Sequence, residues 1–78
     1  MQEHVLVVFR SRTQVLSFKK ILSGAGISSE IVSTPRQIAI GCGLSLKVSQ
    51  NDYAEVKRIY ELYKPHSFVG FYLSHFNG

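Results

Sequence analysis

The chain predicts an α+β fold with elements in the order β-α-β-β-α-β. Three observations carry that expectation: short apolar runs with strand character, two longer segments with apolar residues every three or four positions, and glycine or proline breaks between them. With 78 residues, one domain covering 1–78 is expected, burying roughly 60 % of its unfolded surface. Hydrophobic residues at 45 % against 18 % charged are ordinary for a globular chain and argue against disorder.

Val5-Leu6-Val7-Val8-Phe9 is continuously apolar and rich in β-branched residues, as a central strand would be. Arg10-Ser11-Arg12-Thr13 then breaks the pattern and offers two helix caps, Ser11 and Thr13. Val15, Phe18, Leu22 and Ala25, with Ile21 beside them, mark the buried stripe of an amphipathic helix, while Gln14, Ser17, Lys20 and Ser23 fill its wet face. Gly24 and Gly26 can end it.

Ile27 to Ser33 reads as a second strand stopped by Pro35, and Arg36 to Gly43 as a loop or short helical turn. Leu44-Ser45-Leu46-Lys47-Val48 alternates apolar and polar, predicting a half-exposed third strand. Ser49 to Asp52 supplies caps, and Asp52 with Glu55 predicts a capping box. Tyr53, Val56, Ile59, Tyr60 and Tyr63 run at helical spacing to Pro65, with the tyrosines on a core face. Ser67 to Leu73 is a last strand with large side chains on both faces, and Ser74 to Gly78 a frayed tail. Two interleaved β-α-β units of this kind give the ferredoxin-like arrangement, a four-stranded antiparallel sheet with both helices on one face.

That topology has a chemical consequence. The end of strand one, the start of helix one, the end of strand two and the start of strand three share one end of the sheet. Arg10, Ser11, Arg12, Thr13, Thr34, Pro35 and Arg36 are therefore expected near Cys42, the only cysteine, which stands between Gly41 and Gly43. Guanidinium groups and a helix N-terminus both favour a thiolate over a thiol. The flanking glycines leave the sulfur unshielded and free nearby backbone N–H groups to turn toward it. Packing alone is the competing reading of a lone cysteine.

Other chemistries have less behind them. His4, His66 and His75 show no ligand spacing, so no metal and no cofactor is expected. His66, after Pro65, should fall at the same end as Cys42. The net charge of +4 is spread along the chain without a basic run, and strand three has no aromatic, which argues against nucleic acid as a partner. The five-residue apolar run near the N-terminus is too short for an export signal or a membrane span. One thiol and no such segment point to the cytoplasm. The aromatic last strand suggests a homodimer.

The ordered set Val7-Val8-Phe9 with Ser11 and Thr13, Ala25-Gly26-Ile27, Thr34-Pro35-Arg36 and Gly41-Cys42-Gly43-Leu44 resembles a family of small bacterial domains known as putative selenium/sulfur carrier protein-like. The resemblance runs from His4 to Tyr72. It departs at Ile38-Ala39-Ile40, where similar sequences carry small hydroxyl side chains. It implies that Cys42 holds sulfur or selenium as a persulfide or selenosulfide and relays it from a donor enzyme to an acceptor protein. Pro35, Arg36, Gly41 and Gly43 would form its setting. The alternative on the same fold is a binding or regulatory module, with Cys42 as packing and the arginines as an anion site.

Overall fold

A computed structural model describes residues 2–38 and 43–76, apart from the side chains of residues 2, 37 and 74–76. The elements are β1 (Gln2–Phe9), α1 (Arg12–Gly24), β2 (Glu30–Ser33), β3 (Leu44–Ser49), α2 (Tyr53–Tyr63) and β4 (Phe68–Phe76). Short 3-10 turns at Arg36–Ile38 and Gln50–Asp52 precede β3 and α2. The strands form one antiparallel sheet in the order β2-β3-β1-β4. This is the ferredoxin-like arrangement, with β1 and β3 inside and β2 and β4 at the edges.

Strand alternation sends Val5, Val7 and Phe9 of β1 and Leu46 and Val48 of β3 into one core with Val15, Phe18 and Leu22 of α1 and Val56 and Ile59 of α2. Phe68 and Phe71 of β4, together with Tyr53 and Tyr60, pack against it. Ring centroids link Phe18 to Phe9 at 5.5 Å, Phe9 to Phe68 at 5.8 Å and Phe68 to Tyr60 at 4.2 Å. These tilted and edge-on pairs add to the burial of apolar area. Tyr63 does not join the tyrosine stripe as expected. It is the last residue of α2 and is 59 % exposed.

Helix α1 starts after Ser11, whose carbonyl accepts from the N–H groups of Gln14 and Val15. Its C-terminus is a Schellman motif. Gly26 sits at φ +81°, its N–H donates to the Ser23 carbonyl at 3.0 Å, and the Ile27 N–H donates to the Leu22 carbonyl at 2.9 Å. Ile27 thereby closes the helix end as a buried residue. It does not begin a strand, so β2 starts at Glu30 instead.

Four further features differ from the expectation. β1 extends back to Gln2 because Gln2, Glu3 and His4 pair with Phe76, His75 and Ser74. That pairing also carries β4 through Phe76, where a frayed tail from Ser74 was expected; residues 77–78 lie outside the described residues. In β3, Ser45 is fully buried despite its outward position in the alternation, with its hydroxyl hydrogen-bonded to that of Thr34. The Asp52–Glu55 capping box does not form. Asp52 makes no side-chain cap, and Glu55 pairs with Arg58 one turn along. The hydrogen bond from Arg58 holds the Glu55 carboxyl below the usual carboxylate range.

Candidate functional site

Those of the residues singled out in the sequence that lie among the described residues stand in connections at one end of the sheet. Phe9 closes the β1 ladder opposite Phe68, Val8 faces Ser45 near the start of β3, and Ser33 at the end of β2 faces Leu44. The β1–α1 connection, the β2–β3 connection and the α2–β4 connection therefore meet at this end. Arg10 lies in the first of these, with Ser11 as the N-cap of α1 and Arg12 and Thr13 in its first turn. Pro35 and Arg36 lie in the second, and His66 in the third. Arg10, Arg12, Thr13, Arg36 and His66 are exposed, while Ser11 and Pro35 are half-buried.

Gly41 and Cys42 lie outside the described residues. The Thr34 N–H donates to the Gly43 carbonyl at 2.8 Å, and the Thr34 and Ser45 hydroxyls share a hydrogen bond of 2.6 Å. Gly43 adopts φ +83°, a left-handed conformation that a side chain would strain. Thr34, Gly43 and Ser45 thus pin the base of the connection that carries Cys42.

A polar clip holds the other two connections together, and sequence patterning gives no sign of it. Ser67 uses every polar group it has. Its carbonyl accepts from the Arg10 N–H at 2.8 Å and its hydroxyl oxygen from the Ser11 N–H at 3.3 Å. Its own N–H and O–H both donate to Gln14 Oε1, at 2.7 and 2.5 Å. The position of the arginine-bearing turn thus depends on a serine more than fifty residues away. Ser67→Ala leaves the Ser11 N–H without its acceptor and removes a donor to Gln14. It is expected to lower stability by about 1–3 kcal/mol. Urea unfolding checks this: the midpoint should fall at constant slope, and an unchanged midpoint would show the clip to be incidental.

Electrostatically, the α1 N-terminus has no acidic residue in its first turn and no side-chain cap. Its partial positive charge and the guanidinium groups of Arg10 and Arg12 therefore add at the same place. Anions and thiolates are the species such a field favours. Among the described residues no group of three His, Cys, Asp or Glu side chains could hold a metal ion. An open polar cavity of about 330 Å³, lined by His4, Ser29, Glu30, Lys47 and Asp52 among others, lies at the opposite end of the sheet. No helix among the described residues is long and apolar enough to cross a membrane.

A family model described as "Putative Se/S carrier protein-like" matches residues 4–64, from β1 to the end of α2. No curated protein and no solved structure matches the chain.

Proposed function

This chain belongs to the putative Se/S carrier protein-like family, and from that membership we propose that it carries sulfur or selenium on Cys42, as a persulfide or selenosulfide, between a donor enzyme and an acceptor protein. The observation that carries the proposal is the span of the match, which takes in Cys42 together with Pro35, Arg36, Gly41 and Gly43. The fold supports it by bringing Arg10, Arg12 and the α1 N-terminus to the end of the sheet where Thr34 and Gly43 flank the cysteine-bearing connection.

The transfer is a thiol exchange. The Cys42 thiolate attacks the terminal sulfur of a donor persulfide and forms a new S–S bond. The donor sulfur leaves as a thiolate with the electron pair of the broken bond, so no external oxidant or reductant is needed. Arg10, Arg12 and Arg36 stabilise the anion before and after transfer. The only thiol in the chain cannot displace its own cargo, so release requires a thiol or other nucleophile on the acceptor. The role is a relay without turnover of its own, set in the reducing cytoplasm where the thiol stays free.

Intact mass after incubation with a cysteine desulfurase and cysteine tests the proposal. Wild type should gain one sulfur atom that a reductant removes, and Cys42→Ser should gain none. A thiol that neither gains sulfur nor reacts with an alkylating agent would overturn the carrier role and leave the binding module in front.

A further inference from the structure

The two edges of the sheet are built differently. β2 is four residues long, and Glu30 in its ladder is ion-paired with Lys47 of β3 at 3.1 Å. Short length and charge are the usual protections of an edge strand. β4 has neither. It is nine residues long, and Phe68–Phe76 contains no Lys, Arg, Asp, Glu or Pro. Its ladder with β1 has a register shift only near its start and then runs unbroken from Val8↔Gly70 to Gln2↔Phe76. Among the described strands, β1 is its sole neighbour.

The side chains along this edge tell the same story. Leu73 stands on the helix-covered face with Phe71, opposite the buried Val5, yet is itself 57 % exposed. A cavity of about 280 Å³ opens beside it, lined by Val5, Gln50, Tyr53, Phe71 and Leu73. An exposed leucine bordering an apolar cavity on an unprotected strand is the pattern of an uncovered interface.

We propose that β4 pairs with β4 of a second copy of this chain, joining two sheets into one of eight strands. A second copy fits because the edge is its own complement: antiparallel strands related by a two-fold axis satisfy both unpaired rows at once. The strand carries no formal charge, so pairing brings no like charges together on it, in a protein whose net charge is +4. Leu73 is the midpoint of the regular ladder Gly70–Phe76, so an axis through it pairs the whole stretch. The partner's Leu73 then lies against Leu73, and the two leucines cover the mouths of the cavities beside them. This pairing lies outside the family match, which ends at residue 64, and does not depend on the carrier reading.

Sedimentation velocity from about 10 µM to about 1 mM tests it, since a single-strand interface belongs to the weak class. Wild type should pass from monomer to dimer. Leu73→Lys should raise the dissociation constant at least about tenfold while its circular dichroism stays unchanged. In a Cys42→Ser background, Leu73→Cys should form a disulfide-linked dimer on mild oxidation, because paired Cα atoms about 4.5–5.5 Å apart suit that bond. A wild-type monomer at every concentration would overturn the proposal. So would a dimer that Leu73→Lys leaves intact and Leu73→Cys fails to cross-link. Slow exchange of the outward-facing β4 amides in a monomer would show that another part of this chain covers the edge, and would overturn it equally.

Discussion

Phe9→Ala is expected to cost the domain about 3–5 kcal/mol of stability. Phe9 is fully buried at the end of β1, with the Phe18 ring at 5.5 Å on the α1 side and the Phe68 ring at 5.8 Å on the β4 side. Removing the ring loses its transfer free energy and leaves a cavity, because α1 and β4 are held by their own contacts and cannot collapse into the space. A domain of this length has about 4–12 kcal/mol in total, so the loss takes about a quarter of it or more. The melting temperature should fall by at least about 12 °C. Leu62→Ala is the matched control. Leu62 is 71 % exposed, and its truncation should change stability by less than about 0.5 kcal/mol. A Phe9→Ala protein that melts within a few degrees of wild type would show that β1 does not anchor this core.

The second large effect is electrostatic. Replacing Arg10, Arg12 and Arg36 together by Gln is expected to slow alkylation of Cys42 about tenfold at neutral pH. The sign follows from the thiolate being the reactive form. Positive charge near the sulfur lowers the thiol pKa, so removing it raises the pKa and shrinks the thiolate fraction. Each unit of pKa is a factor of ten in that fraction while the pH stays below it. At high pH both proteins are fully ionised and their rates should converge. All three side chains are exposed, so the triple variant should keep the wild-type melting temperature. Equal rates across the whole pH range would mean that these arginines do not act on the sulfur.

The order of the elements was readable from the sequence: both helices show as apolar stripes, and β1 shows as a continuous apolar run because both of its faces are buried. Where the reading slipped, a residue served a different element from the one its hydrophobicity suggested. Ile27 looked like the first residue of a strand and is instead the apolar closure of α1. Ser45 looked like the wet side of an alternating strand and is fully covered, its hydroxyl hydrogen-bonded to that of Thr34 from the next strand's end. Gln2, Glu3 and His4 carry no apolar signal, yet hydrogen bonding to β4 draws them into β1. The Ser67–Gln14 clip has no local signature at all, since its partners are 53 residues apart. Glycine and proline placement located the cysteine-bearing connection, and the fold brings Arg10, Arg12 and Arg36 to the same end of the sheet.

The position of β1 has a consequence for how the protein is made. β1 is synthesised before the strands that flank it, which begin at Leu44 and Phe68. Until those residues leave the ribosome, Val5–Phe9 is a run of five apolar side chains with no sheet to join. At about 5–20 residues per second that interval lasts a few seconds, long enough for a chaperone to engage the segment. The arrival of β3 fills one side, and the other stays open until β4 closes the sheet. A nascent chain stalled inside α2 therefore presents the most hydrophobic strand of the protein as an edge.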